Sequence, residues 1–302
     1  MKKGLDITQL IERFGSEDKC RRYLEDLRWD DYEACPRCQS MKVYRILKRD
    51  QFVCDSCSYQ FSVTSGTIFH DTHLPLWKWF LAVYMMCESR KGVSANQLKR
   101  VLGVSYKTAW YLCHRIRAAM KDTDNPPLAG TVEMDETYVG GKRRGAGMRG
   151  RGAGKEVVIG LRERGGDLRF FHASDAKAGT LARYIRENVS TDVEVLVTDD
   201  FSSYPFAVKR ANLETARHKT IKHSSGVYVS GDIHTNTVES AFSLLKRGII
   251  GTWHKISTKH LPAYLEEMTW RFNNRKNEYL FRDTMLKLIA APNLEYKRLT
   301  AA

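Results

Sequence analysis

No uninterrupted apolar run in the 302 residues approaches the ~20 that a membrane span requires. Behind the two lysines of MKKGLDITQLIERF there is no long apolar region either. A secretory leader is therefore not expected, and the chain reads as a soluble cytoplasmic protein. Acidic residues are in deficit: 35 Asp and Glu stand against 49 Lys and Arg, a net charge of +14. Such an excess calls for a polyanionic partner, either nucleic acid or an anionic membrane surface. An even set of cysteines is missing too. Seven in a reducing compartment do not form a disulfide framework. No heptad pattern marks an oligomer interface. The chain does have length and ordinary composition, 42% apolar, enough for about two domains at roughly 150 residues each.

Four of the cysteines form two pairs, Cys35-Pro36-Arg37-Cys38 and Cys54-Asp55-Ser56-Cys57. A two-residue spacer lets both thiolates of a pair face one ion, and a hairpin between the pairs brings the second across from the first. Four thiolates around a tetrahedral Zn2+ make a closed structural site with no open position for chemistry. Lys42–Ile46, Gln51–Val53 and Ser58–Val63 alternate as three short strands. Cys20, Cys87 and Cys113 fall in helical patterns and are expected to be small buried apolar residues.

From Leu76 a helix is expected with Trp77, Phe80, Tyr84 and Cys87 on its apolar stripe. Ser94 opens a shorter helical run to Leu102, Gly103-Val104 turns the chain, and Ser105 opens the next helix. Serine at such positions accepts an orphan backbone N–H. Ala109, Leu112, Cys113, Ile116 and Met120 form the buried stripe of that helix. Two helices joined by a glycine turn make a helix-turn-helix pattern. Lys91–Lys121 holds seven basic residues and no acid, which suits phosphate contact. Lys99, Arg100, Tyr106, Lys107, Thr108 and Arg115 are the candidate DNA-binding residues, with Tyr106, Lys107 and Thr108 at the start of the recognition helix.

Beyond Asn125-Pro126-Pro127 the pattern changes. Strands are expected at Thr131–Val139, Glu156–Leu161 and Leu168–His172, then a helix over Thr180–Asn188, a strand over Val193–Thr198 and further helices. That is the element order of a ribonuclease H-like α/β domain, a mixed sheet with helices. Asp135 lies in the first strand on the face opposite Met134. Asp199 ends the fourth, and the carboxyl ends of strands are where α/β sites gather. On neighbouring strands the two acids would hold a divalent metal. A last helix from Asn236 buries Val238, Ala241, Phe242 and Leu245. Its other stripe carries Asn236, Glu239, Ser243 and Lys246, with Lys246 ~10.5 Å above Glu239 along the axis.

Gly140–Lys155, GGKRRGAGMRGRGAGK, has seven glycines, six basic residues and no acid. So much glycine costs too much backbone entropy to order alone, so a mobile loop is expected whose Lys142, Arg143 and Arg144 settle on DNA. It is not a nucleotide-binding glycine motif, because no helix N-terminus follows to receive a phosphate.

CPRC with CDSC, MDETYVGG at 134–141, VTDD at 197–200, HTNTVESAFSLLKRGIIGTWH at 234–254 and RFNNR at 271–275 occur in that order over nearly the whole chain. In these motifs the chain resembles the ISXO-type insertion-sequence transposases of the DDE superfamily, which carry an N-terminal zinc ribbon. The resemblance implies a ribonuclease H-like core that cuts and joins DNA at the ends of its element. It places the first two catalytic acids at Asp135 and Asp199 rather than Asp200. The third is Asn in most of the pattern and Glu in some, and both Asn236 and Glu239 are present; charge favours Glu239. Two Mg2+ ions about 3.5–4 Å apart, replaceable by Mn2+, would activate the attacking oxygen and stabilise the leaving one. Asp135 would serve both ions, Asp199 one, and Glu239 or Asn236 the other, while Lys246 holds a phosphate. Joining two ends implies a homodimer or higher oligomer on DNA.

Five regions are expected: a helical segment over 1–30, the zinc ribbon over 31–66, a helix-turn-helix-like DNA-binding domain over 67–124, the catalytic domain over 128–280, and a helical tail over 281–302. Two other functions fit the same sequence. One is a zinc-ribbon and helix-turn-helix regulator with an inactive core, and the other a structure-selective nuclease that cleaves without joining.

Overall fold

Polar residues one position ahead of each short helix start the chain. Asp6 accepts the N–H of Gln9 while the Gln9 side chain accepts that of Asp6, opening α1 (Ile7–Phe14). Ser16 opens α2 (Glu17–Arg28) in the same manner. The computed structural model describes residues 4–29, 32–122, 125–140, 155–221 and 234–301. Lys142, Arg143, Arg144 and most of the glycine-rich stretch lie outside the described residues. Two compact units emerge, Met1–Lys121 with Asn274–Ala302, and Asp122–Asn273.

In the first unit, β1 (Val43–Ile46), β2 (Gln51–Cys54) and β3 (Gln60–Phe61) form an antiparallel sheet in sequence order. Three helices follow: α3 (Leu76–Glu88), α4 (Ala95–Leu102) and α5 (Tyr106–Ala119). Ser94 and Ser105 cap α4 and α5, and Gly103 makes the turn between them at φ 62°, a conformation that favours glycine. The expected stripe of α5 is buried throughout. That of α3 is not as expected: Trp77 is 39% exposed, whereas Trp79 is buried and donates its indole N–H to Thr72 Oγ1. The helix is apolar nearly all round, so its neighbours choose the buried face.

The second unit is a five-stranded sheet flanked by helices. It comprises β4 (Thr131–Val139), β5 (Glu156–Glu163), β6 (Leu168–Ala173), α6 (Ala178–Asn188), β7 (Val195–Asp199), α7 (Ser203–Arg210), β8 (His218–Ile221), α8 (Asn236–Gly248) and α9 (Leu261–Asn273). The strand order is β6-β5-β4-β7-β8. β4, β5 and β6 pair antiparallel, while β7 runs parallel to both β4 and β8. Strand alternation divides the core in two. Val132, Met134, Ile159, Leu161 and Leu196 meet α6 and α7 on one face. Val139, Val158, Leu168 and Phe170 meet α8 and α9 on the other.

The chain then returns to the first unit through α10 (Leu280–Ala290) and α11 (Tyr296–Thr300). These two helices make up most of the stretch expected as a helical tail over 281–302. The apolar face of α10 has to be covered, and Phe281 joins the rings of Phe14 and Phe80 to do so. The N–H of Ile68 donates to the carbonyl of Leu288 at 3.3 Å. No described helix is long and apolar enough to cross a membrane.

Candidate active site, metal centre and nucleic-acid surface

The cysteine pairs sit on two matching turns. In each, the N–H four residues on (Gln39, Ser58) donates to the carbonyl of the first cysteine (Cys35, Cys54), at 2.9 and 2.8 Å. Gln39 and Ser58 both take left-handed φ, 61° and 57°. The turns bring Cys35 Sγ to 3.7 Å from Cys57 Sγ and Cys38 Sγ to 3.5 Å from Cys54 Sγ. A tetrahedral ion with metal–sulfur bonds of 2.3 Å needs sulfurs about 3.8 Å apart, so the donors fit Zn2+. Burial opposes ionisation at Cys54, but the amides of Cys57 and Ser56 and the adjacent thiols outweigh it and bring the thiol down to about 7. Trp29, Phe52 and Phe61 pack beneath the site as its small core. Cys20, by contrast, is buried and pushed up to about 12, first by burial and then by Glu17; it is an inert interior thiol, as are the buried Cys87 and Cys113.

The acidic site follows from strand register. Val132 lies beside Leu196 and Glu133 beside Val197, so two residues further on Asp135 stands beside Asp199. Alternation turns both toward α8. Ligand oxygens of Asp135, Asp199 and Glu136 all lie within 4.8 Å of one another. Glu136 is buried and accepts a hydrogen bond from the Tyr204 hydroxyl at 2.8 Å. Burial foremost, then the charges of Glu136 and Asp199 and more weakly of Glu239, push the Asp135 carboxyl up to about 8. A cluster of hard oxygen donors that resists its own ionisation suits a divalent cation such as Mg2+ or Mn2+.

Asp135 faces Gly160 across the β4–β5 ladder. A Cβ at Gly160 would stand 2.7 Å from Phe242 Cζ and 2.9 Å from Val238 Cγ2. The bare glycine lets α8 lie directly against the strand beside Asp135. The start of α8 is fixed by Glu133, which is fully buried and two residues before Asp135 on the same face. Glu133 Oε2 accepts the N–H groups of Thr237 and Val238 at 2.9 and 3.0 Å. Its other oxygen accepts from Arg164 Nε at 2.7 Å and stands 3.2 Å from His234 Nδ1. Arg164 also donates to the His234 carbonyl at 2.9 Å. The anion thus occupies the positive end of the helix dipole. One strand carries both Asp135 and the anchor of the helix bearing Glu239.

Glu239 is half-buried and accepts from the Thr235 hydroxyl at 2.7 Å, while Asn236, Ser243 and Lys246 are exposed on the same helix and Asp200 is exposed beyond β7. Glu239 lies outside the tight carboxylate group but within electrostatic reach of Asp135. Glu133, Arg164, His234, Glu136, Tyr204 and Gly160 were not singled out from sequence. The spacing of Glu133 and Asp135, two apart in a strand, is the signal that would have found the first.

The basic residues of the helical segment separate into two sets. Lys99, Arg100 and Lys107 are exposed, and Tyr106 is half-exposed at 50%. The Thr108 hydroxyl joins the cap, 2.9 Å from that of Ser105. Arg115 departs from the expectation of a DNA contact. It is buried, donates to the His70 carbonyl at 2.7 Å and to Asn293 Oδ1 at 3.2 Å, and lies over the Trp79 ring. A helix enclosed on several sides turns part of its basic sequence inward, where carbonyl oxygens and ring faces receive the charge.

The arrangement defines a class of protein: a four-thiolate ribbon joined to a mixed-sheet domain with clustered carboxylates. Residues 127–273 match the family model of the ISXO2-like transposase domain, and residues 15–60 match that of the transposase zinc-ribbon domain. A protein of Halobacterium salinarum described as an uncharacterized protein in transposable element ISH50 is 34% identical over 282 residues, covering 86% of this chain and 92% of its own length. The chain belongs to the ISXO2-like transposase family. Among solved structures, a chain of the Mos1 strand transfer complex aligns at 11% identity and a TM-score of 0.32, over 70% of this chain and 75% of that one.

Proposed function

We propose that this chain is an active DNA transposase, which binds the terminal inverted repeats of its element and cleaves and joins DNA strands at the Asp135–Asp199 site. The observation that carries the reading is the alignment of these two acids on adjacent strands beneath a helix bearing a third acid, Glu239. Divalent ions held there would supply Lewis-acid stabilisation of the attacking and leaving oxygens of phosphoryl transfer. Asp135 and Asp199 give fixed, preoriented carboxylates. Glu239 is the third ligand in preference to Asn236, because it is a half-buried carboxyl within electrostatic reach of Asp135, whereas Asn236 is an exposed amide. Glu136, tied to Tyr204, adds negative charge beside the site. Lys246 projects to solvent two turns along α8, where its amine meets a DNA phosphate. Structural Zn2+ on Cys35, Cys38, Cys54 and Cys57 keeps the ribbon folded. Lys99, Arg100, Tyr106 and Lys107 face DNA, and a dimer or larger assembly brings the two ends together.

A strand-transfer assay with Mg2+ and paired element ends tests this. Joined product supports the transposase, cleavage without joining indicates a nuclease, and binding alone indicates a regulator. Within it, Glu239→Gln should lose activity while Asn236→Ala loses less. The reverse order moves the third ligand to Asn236.

A further inference from the structure

The segment after α10 runs back along α5, and three contacts fix its course. Asn293 Oδ1 accepts from Arg115, the Leu294 carbonyl accepts the Tyr111 hydroxyl at 2.5 Å, and the Tyr296 ring lies edge-on to Tyr111 with centroids 5.4 Å apart. The same ring is edge-on to Trp110, and the Lys107 ammonium sits 4.4 Å from its centroid. As the arm advances from 293 to 296, its partners on α5 retreat from 115 to 107, a rise of about 12 Å toward the N-terminal turn. The next two residues are Lys297 and Arg298, both exposed. They follow Tyr296, whose ring meets Lys107 in the first turn of α5, one glycine turn from Lys99 and Arg100.

We propose that this C-terminal arm is part of the DNA-binding surface, with Lys297 and Arg298 on the phosphates flanking the groove that α5 enters. The idea rests on the helix-turn-helix reading of the proposed function and adds to it a partner segment from the far end of the chain. Charge chooses between this and an inhibitory arm. A segment that held DNA off by mimicry would carry acids, whereas α11 offers two cations and only Glu295 precedes it. Tyr296 aims the arm and also holds the Lys107 ammonium over its ring, where it remains available to phosphate.

The test uses the full chain and a fluorescein-labelled mixed-sequence duplex, with affinity measured against KCl. Each phosphate contact contributes about 0.9 to the slope of log affinity on log salt, so Lys297→Ala/Arg298→Ala should lower it by about 1.8. Raising salt from about 50 to 200 mM would then weaken the variant about tenfold less than the wild type. Tyr296→Ala, which removes no charge, should also weaken binding by releasing the arm. Lys99→Ala/Arg100→Ala serves as the separate test of the helix-turn-helix. If it weakens binding while Lys297→Ala/Arg298→Ala changes nothing, the arm is not a contact and the proposal falls alone. Tighter binding by the arm variant would make the arm a competitor and overturn the proposal. No effect from either pair would remove the whole segment from DNA.

Discussion

Replacing Glu133 probes how the second unit places its acids. Glu133→Gln keeps the side chain's size and one acceptor for the Thr237 and Val238 amides but removes the charge. Loss of an anion at a helix start costs about 0.3–1 kcal/mol, and up to ~2 in partly buried sites. Glu133 is fully buried, so the upper figure applies. The amide nitrogen then faces Arg164 Nε, donor against donor, so the charge-assisted bond of about 1.5–3 kcal/mol is lost. The sum is roughly 3.5–5 kcal/mol. Glu133→Ala leaves Arg164 without its carboxylate, and breaking a buried pair costs about 3–5 kcal/mol. The Arg164 side chain is 22% exposed, which favours the low end of that range. Urea unfolding followed by far-ultraviolet dichroism reads these losses. Arg164→Met added to Glu133→Gln should recover part of the stability, since it removes the guanidinium that faces the amide nitrogen. Neither variant restores the anion at the start of α8, so calorimetric Mn2+ affinity should stay reduced in both. A Glu133→Gln protein within about 0.5 kcal/mol of wild type, the scatter of ordinary surface substitutions, with normal Mn2+ affinity, would refute the reasoning.

Three other outcomes are expected. Gly160→Ala forces a methyl into Phe242 and Val238, so it should cost about 1–3 kcal/mol and lower joining activity by lifting α8; wild-type values on both counts would show that the helix can yield. Burial and its neighbours raise Asp135 from 3.8 to about 8, so the folded metal-free protein holds a proton that the unfolded chain releases. The Asp135 contribution to stability is fully present below pH 3.8 and is lost as pH rises through about 8, by at most about 1.4 kcal/mol per unit. Asp135→Asn should flatten that decline, and Mg2+ should raise the melting temperature of the wild type alone; parallel pH curves would contradict the assignment. Cys54→Ser should release the zinc of about one ion per chain and unfold the ribbon while the sheet of the second unit persists; full retention of ribbon structure without zinc would overturn the structural role.

Much of the site was legible because its signals are local. The two cysteine spacers, the serine caps, the Gly103 turn and the apolar stripe of α8 each need only a few neighbouring residues, and all appear where the pattern puts them. What escaped depends on distant partners. α3 has too many apolar residues for periodicity to choose a face. Arg115 reads as a surface cation until His70 and Asn293 are brought to it. β8 is a four-residue strand, HKTI, without alternation, and is a strand because β7 lies beside it. The return of Asn274–Ala302 to the first unit is set by tertiary burial of α10, which no local spacing encodes.

The central claim, that Asp135 holds a metal during strand transfer, is tested most directly by changing the ligand's softness. Asp135→Cys replaces a hard oxygen donor with a thiolate, which Mg2+ binds poorly and Mn2+ tolerates better. The account predicts a folded, end-binding variant that joins no DNA in Mg2+ and regains measurable joining in Mn2+. Joining by Asp135→Cys in Mg2+ at the wild-type rate would contradict it.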